Sequence, residues 1–187
     1  MLTPADTDPD FGAQRADIWT IDVGEFAADS VLLRSFLLPD ELERHARFAS
    51  RQTANTWLAA RAGLRFLLGR YLDENVRSLI IKTGPNGKPF VDNHFQLCFN
   101  ISHSGSIAVI AITDRDVGID VEHLERQVDT VAVLRRFFSP AEQASYAQYQ
   151  QTDPRCTFFR GWTRKEAVLK ATGEGIAGLA HNEISFA

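Results

Sequence analysis

The chain has little of the chemistry that marks secreted, membrane-spanning or nucleic-acid-binding proteins. Its 187 residues hold only two cysteines, Cys98 and Cys156, which favours free thiols in a reducing compartment over a disulfide framework. The longest strongly apolar run, 107–112, is far too short to span a bilayer, and the N-terminal residues lack the basic start of a signal peptide. A net charge of −4 weighs against general nucleic-acid binding. These absences predict a cytoplasmic protein that binds neither membranes nor nucleic acid.

What remains is the composition of an ordinary globular protein, with 44% apolar and 24% charged residues. Hydrophobic periodicity and cap signals divide the chain into short strands and separate helices. Antiparallel strand pairs with separate helices predict an α+β fold. The predicted strands are 17–23, 96–102, 107–112, 117–122 and 184–187, and the main predicted helices begin near 39, 55, 140 and 153.

One segment of this acidic protein carries only positive charge. From Arg44 to Leu72 there is no acid, although six arginines lie there. The helical wheel of 55–72 places Arg61 in the middle of the apolar stripe and Arg65 at its edge, and an arginine on that side needs a partner or an anion. A solvated helix face balanced by acids elsewhere explains the charge alone equally simply.

Three carboxylates are predicted to point inward. In the stretch GIDVE, Asp120 and Glu122 alternate with apolar residues and therefore share one face of an extended chain. Glu166 lies on the apolar face of the last long helix, with Lys170 one turn later. Oxygen ligands of this kind suit Mg²⁺, which also binds substrate phosphates. An Asp-x-Glu pair by itself is more often a solvated face or part of an ion pair.

Five blocks of sequence occur in one order along the chain: GKP at 87–89, FNISHS at 99–104, GIDVE at 118–122, FFSPAE at 137–142 and WTRKEAVLKATGEGI at 162–176. Together they resemble the Sfp-type 4′-phosphopantetheinyl transferases, from about residue 44 to about residue 186. That family transfers the phosphopantetheine arm of coenzyme A to a serine of an acyl or peptidyl carrier protein and releases 3′,5′-ADP. The resemblance implies Mg²⁺ as cofactor and coenzyme A as co-substrate.

The resemblance also implies a fold, a pseudo-dimer of two similar α/β halves with the site in the cleft between them. The halves would be 1–113 and 114–187, meeting near 112–117. Relatives usually continue into further strands, so the second half is expected to be short at its C-terminus, with an exposed strand edge near 184–186. The protein is expected to be a monomer, with an edge-mediated dimer as the alternative.

Site residues follow from the matching motifs. The metal-binding acids would be Asp120, Glu122 and Glu166, and the catalytic residues would be Glu166, Lys170 and Asp120. The predicted coenzyme A contacts are the basic and polar residues Arg51, Arg61, Lys88, Ser102, His103, Lys165 and Lys170. Two other readings stay open, a coenzyme A-binding relic without activity and another Mg²⁺-dependent phosphoryl-transfer enzyme.

Overall fold

The computed structural model describes residues 15–26, 30–93, 96–180 and 182–186, without the side chains of residues 25, 26, 176 and 180. The strands are β1 Asp17–Asp22, β2 Ile81–Thr83, β3 Pro89–Val91, β4 Cys98–Ser104 and β5 Ile107–Thr113. The helices are α1 Val23–Phe26, α2 Ser30–Ser35, α3 Pro39–Ala46, α4 Arg51–Leu72, α5 Thr130–Phe137, α6 Pro140–Tyr149 and α7 Pro154–Thr172, followed by a 3₁₀ helix, Gly175–Ala180. This mixture confirms a fold that contains both helices and antiparallel sheets.

The central sheet has three antiparallel strands in the order β1–β5–β4, and β2 and β3 form a separate hairpin. Because side chains alternate across a strand, one face of this sheet carries Ile21, Phe99, Ile110 and Ile112, which pack with the buried face of α4. The other face of β4 carries polar side chains. The first hydrophobic core therefore lies between α4 and one face of the sheet, and leaves the opposite face available for a site.

A second core lies among the C-terminal helices. Phe138, Tyr146, Phe158 and Phe186 are buried together there. A Cβ on Gly161 would stand 2.0 Å from the Phe186 ring, so the glycine makes room for this aromatic side chain. Helix α7 contributes Phe158 and Phe159 to this core, and its Lys170 contacts Ser102 of β4.

Helices α3 and α6 begin in the same way. Each starts with a proline, Pro39 or Pro140, and has a glutamate two residues later, Glu41 or Glu142. Each glutamate accepts a hydrogen bond from the backbone N–H just ahead of its proline, at 2.8 Å and 2.7 Å respectively. This arrangement satisfies one of the amides that a helix start leaves unpaired.

Each glutamate also binds a buried cation from the long helix that follows. Arg65 of α4 and Lys165 of α7 are both 1% exposed, and they lie 2.6 Å from Glu41 and 2.7 Å from Glu142. Such pairs fix how two helices pack, because a buried charge without its partner is costly. The two helix starts are alike in this respect, while the pair of similar halves and its boundaries, 1–113 and 114–187, stay a prediction.

Two strand predictions are wrong. Residues 117–122 belong to neither sheet, and side chains of β4 accept hydrogen bonds from the backbone N–H groups of Ile119 and Val121. Residues 184–186 form no strand either, and Phe186 is 1% exposed, so the described end of the chain presents no strand edge there. Residue 187 lies outside the described residues. No helix within the described ranges has the length and apolar character needed to cross a membrane.

Candidate active site

The acidic segment 118–123 lies on the polar face of β4. The backbone N–H of Ile119 donates to Oδ1 of Asn100 at 3.0 Å, and the N–H of Val121 donates to Oγ of Ser102 at 3.4 Å. On the opposite side, a Cβ on Gly118 would stand 1.8 Å from a backbone oxygen of α7. The segment is therefore packed between β4 and α7, at a closeness that only glycine allows.

Asp120 and Lys170 join this segment to α7. Nζ of Lys170 lies 2.6 Å from Oδ1 of Asp120 and 3.0 Å from Oγ of Ser102, while Ser102 also donates to Oδ1 of Asp120 at 2.7 Å. The other carboxylate oxygen, Oδ2 of Asp120, is buried and has no hydrogen-bond partner in the described part of the chain. A buried carboxylate oxygen in that condition is costly unless a further group binds it.

Glu122 has a partner for each of its oxygens. Ser104 donates to Oε2 at 2.9 Å, and Arg126 forms an ion pair with Oε1. Only 10% of the Glu122 side chain is exposed. Ser102 thus donates to Asp120 as Ser104 donates to Glu122. The two serines are two residues apart in sequence, as are the two acids, so they lie on facing sides of β4 and the acidic segment.

Glu166 reaches the same place from α7. Burial raises the pKa of its carboxyl group, the negative charge of Asp120 raises it further, and the positive charge of Lys170 opposes the shift. The structure thus brings together the three predicted acids, Asp120, Glu122 and Glu166, with Lys170. A carboxylate with a raised pKa is a better proton acceptor than an ordinary one.

The loop between β2 and β3 is fastened to the end of α7. Lys88 donates to the carbonyl of Ala171 at 2.7 Å and to Asp116 at 2.9 Å, and Asn86 donates to the carbonyl of Gly173 at 2.7 Å. Positive charge is favourable at a helix C-terminus, which Gly173 ends in the left-handed conformation. Lys88 thus holds this loop against the end of α7, and it lines a cavity together with Glu166 and Lys170.

The cleft contains two adjoining cavities that share Lys88. One has a volume of about 280 Å³ and is lined by Asn100, Glu166 and Lys170 as well. The other, of about 910 Å³, extends along the hairpin and reaches Phe90 and Phe99. Carboxylates, ammonium groups and an apolar wall converge on this space, which is the usual character of a ligand site.

Two predicted coenzyme A contacts lie near the surface. His103 is exposed and follows Ser102 on β4, and desolvation together with the positive charge of Lys170 lowers the pKa of its imidazole. Arg51 is exposed at the first position of α4 and has no ion pair within the described ranges. Their predicted roles stay predictions.

Arg61 has a partner that the sequence pattern did not identify. Its Nε lies 2.5 Å from Oε1 of Glu41, and its side chain is 20% exposed. Burial and the neighbouring cations lower the pKa of Arg61, while Glu41 raises it. Arg65, which the helical wheel placed at the edge of the stripe, is the more deeply buried of the two. The anion expected beside Arg61 is thus a carboxylate of this chain, and its phosphate contact stays a prediction.

Lys165 faces the C-terminal core and not the cleft. Its ammonium donates to both oxygens of Glu142, at 2.7 Å each, and to the carbonyl of Asn182 at 3.1 Å, and it lies 5.0 Å from the centre of the Phe138 ring. These three bonds use all the donors of an ammonium group. The placement favours a structural role over the predicted contact with coenzyme A.

The fit of these residues to Mg²⁺ depends on Asp120. Its unpartnered Oδ2 suits a hard cation that takes carboxylate oxygens. However, no three His, Cys, Asp or Glu side chains stand close enough together to hold a metal within the ranges described. Two of the predicted ligands are instead paired with cations, Asp120 with Lys170 and Glu122 with Arg126. The donor chemistry fits a magnesium ion, and the predicted set of three ligands stays a prediction.

The comparisons with known proteins agree on one family. Residues 116–187 match the model of the 4′-phosphopantetheinyl transferase superfamily, and residues 26–115 match that of the 4′-phosphopantetheinyl transferase N-terminal region. The 4′-phosphopantetheinyl transferase HetI of Nostoc is 36% identical over 173 residues, which cover 90% of this chain and 73% of HetI.

Two further relatives match a smaller part of this chain than HetI does, at lower identity. A putative 4′-phosphopantetheinyl transferase of Synechocystis is 34% identical over 78% of this chain, and the 4′-phosphopantetheinyl transferase Sfp of Bacillus subtilis is 27% identical over 76%. The matches span 60% and 63% of these two relatives. The chain thus corresponds to less than two thirds of their length.

Proposed function

Because the chain belongs to the 4′-phosphopantetheinyl transferase superfamily, we propose that it transfers the 4′-phosphopantetheine arm of coenzyme A to a serine of an acyl or peptidyl carrier protein. The observation that carries this proposal is that Glu166 and Lys170 line one cavity, with Asp120 in contact with Lys170. A proton acceptor and a cation side by side are what an attack by a hydroxyl group on a pyrophosphate requires. Lys88 lines the same cavity.

In the proposed reaction the serine oxygen forms a bond to the β-phosphorus of coenzyme A, and the bond from that phosphorus to the bridging oxygen breaks. The serine proton passes to the carboxylate of Glu166, which lines the same cavity as Lys170. The bridging oxygen leaves with 3′,5′-ADP, and the ammonium of Lys170 stabilises its negative charge. Asp120 holds Lys170 in place.

Asp120, Glu122 and Glu166 are the residues that would hold Mg²⁺. A bound magnesium ion would supply positive charge to the phosphate oxygens of the substrate. The neighbouring Ser102 and Ser104 hydroxyls orient two of these carboxylates, so the acids need not rearrange their backbone to accept a ligand.

The test is mass spectrometry of a panel of apo carrier proteins incubated with this protein, coenzyme A and Mg²⁺. We expect a mass gain of one phosphopantetheine arm on at least one carrier, and no gain on the same carrier with its acceptor serine replaced by alanine. Binding of coenzyme A without transfer to any carrier would instead favour the relic, and hydrolysis of a phosphate ester without a carrier would favour the other phosphoryl-transfer reading.

The remaining expectations belong to this proposal as well. We expect a cytoplasmic protein that acts as a monomer. The alternative of an edge-mediated dimer loses its basis, because the described residues 182–186 form no strand.

A further inference from the structure

Three alternate side chains of β4 act as a hydrogen-bonding ladder for the acidic segment. Asn100 accepts from the N–H of Ile119, Ser102 accepts from that of Val121, and Ser104 accepts from that of His123 at 3.0 Å. In an ordinary sheet, backbone carbonyls take these bonds. Within the described residues, these three N–H groups have no backbone acceptor.

The two serines work in both directions. Ser104 accepts from the backbone N–H of His123 and donates its hydroxyl proton to Oε2 of Glu122 at 2.9 Å. Ser102 does the same for Val121 and Asp120. Each hydroxyl thus links one carboxylate to the amide that follows it in the chain, and hydrogen bonds in such a series strengthen one another.

This ladder sets the register of the acids. A shift of the segment by one residue would exchange the two faces, and Ile119 and Val121 would then point to the positions of the two carboxylates. Side chains alone hold the register against β4, because the segment belongs to neither sheet. Asn100 is buried and Ser104 is half-buried, which shields both bonds from competing water.

We propose that Asn100 and Ser104 are positioning residues, which hold segment 118–123 in the register that presents Asp120 and Glu122 to the reaction. This inference rests on the proposed transfer for its functional part and on the described hydrogen bonds for its structural part. Ser104 lines neither cavity, while Asn100 lines the smaller one and acts in this proposal through the N–H of Ile119.

The structural part is tested by amide hydrogen exchange followed by NMR. In the wild type, the amides of Ile119 and His123 should be protected although they have no backbone acceptor. Ser104→Ala should speed exchange at His123 by about 3- to 10-fold, the range for one hydrogen bond, and leave Ile119 protected. Asn100→Ala should do the reverse. Ser106→Ala, at an exposed position two residues beyond Ser104, is the matched control and should change neither amide.

The functional part is tested by transfer kinetics on the same proteins. We expect Ser104→Ala and Asn100→Ala to lower kcat by at least about tenfold, since small misplacements of catalytic groups are costly, with the affinity for coenzyme A measured by calorimetry changing far less. Ser104→Thr keeps the hydroxyl and should restore both kcat and the protection of His123.

The two parts fail separately. Unchanged exchange at His123 in Ser104→Ala would overturn the ladder, whatever the activity. Faster exchange with an unchanged kcat would overturn the positioning role. A wild type that transfers to no carrier would contradict the proposed function, while the exchange data would still test the ladder. If either Ser104→Ala or Asn100→Ala fails to fold, the other variant tests the same proposal.

Discussion

The ammonium of Lys170 lies 2.6 Å from a carboxylate oxygen of Asp120, and this contact ties the last long helix to the acidic segment. The two groups come from parts of the chain 50 residues apart. Their opposite charges compensate each other.

Glu166→Gln should abolish most of the transfer but preserve binding. The variant keeps the shape of the side chain and loses its charge and basicity, so kcat should fall by at least about 10²-fold, the usual share of one general base. Coenzyme A should bind with little change in affinity, as measured by calorimetry. Glu125→Gln, in the exposed turn after the acidic segment, serves as the control. Transfer by Glu166→Gln at the wild-type rate would exclude Glu166 as the base.

Lys170→Met should impair both transfer and stability. Without the ammonium, the leaving phosphate loses its stabilising charge, and Asp120 is left as a largely buried carboxylate that keeps only its serine donor. We expect kcat to fall by about 10²-fold or more and the free energy of unfolding in urea to fall by about 1–3 kcal/mol. The control is Lys82→Met, which breaks an exposed pair with Asp92 and should cost no more than about 1 kcal/mol.

Lys165→Met should destabilise the protein without weakening coenzyme A binding. The substitution removes the partner of a buried carboxylate, Glu142, and should lower the free energy of unfolding by about 3–5 kcal/mol. Affinity is measured by calorimetry at a temperature where the variant is still folded. If the folded variant bound coenzyme A much more weakly, that result would support the contact between Lys165 and coenzyme A that the sequence motif predicts.

Glu41 should make stability depend on acid pH. Burial alone would raise the pKa of Glu41, but hydrogen bonds from Arg65, from the Leu38 amide and from Arg61 outweigh it and lower the pKa. A group with a lowered pKa stabilises the fold above its unfolded value, about 4.3, and that contribution disappears as the pH falls through the folded value.

Glu41→Gln should therefore unfold more easily than the wild type at pH 7, by about 3–5 kcal/mol, and the difference should shrink below about pH 4. Urea titrations at both pH values measure it. Glu43→Gln is the control, because Glu43 pairs with Arg47 on the surface at 3.6 Å and such pairs contribute about 0–1 kcal/mol. A difference that stays constant across this pH range would contradict the assigned role of the Glu41 carboxylate.

Arg61→Ala should cost less stability than Arg65→Ala, because Arg65 is 1% exposed and Arg61 is 20% exposed. Unfolding in urea gives this comparison. If Arg61 also holds a phosphate, as the sequence predicts, the free energy of coenzyme A binding should weaken by about 2–4 kcal/mol in the folded variant. Unchanged affinity would leave Arg61 with a structural role alone.

Local patterns predicted most elements of the fold. Pro140 after a serine, with Glu142 two residues later, predicted the start of α6, and Gly173 predicted the end of α7. Alternation along β4 predicted that Asn100 and Ser102 share a face. These features depend on neighbours within a few residues, which is why periodicity and cap signals reveal them.

The errors concern partners that are distant in the chain. Alternation correctly placed Asp120 and Glu122 on one face, but could not reveal that side chains of β4 replace a strand partner. The helical wheel placed Arg61 in the middle of an apolar stripe, and the motif match singled out Lys165. Neither gave a means to identify Glu41 and Glu142 as their partners. The repeated Pro-x-Glu start of α3 and α6 was the signal that could have indicated both pairs.

The cation that pairs with each of these glutamates, Arg65 of α4 or Lys165 of α7, also binds the chain that follows its helix. Arg65 has donors to spare beyond Glu41, and it also binds the carbonyls of Val76 and Leu79, 11 and 14 residues onward. Lys165, with three donors, reaches a single carbonyl, that of Asn182. The guanidinium of Arg65 thus fixes the connection between α4 and β2 at two carbonyls. The ammonium of Lys165 fixes the segment after α7 at one carbonyl. Exchanging arginine and lysine between the two helices would conserve both charges, but the number and geometry of the N–H donors would no longer match the carbonyls that follow each helix.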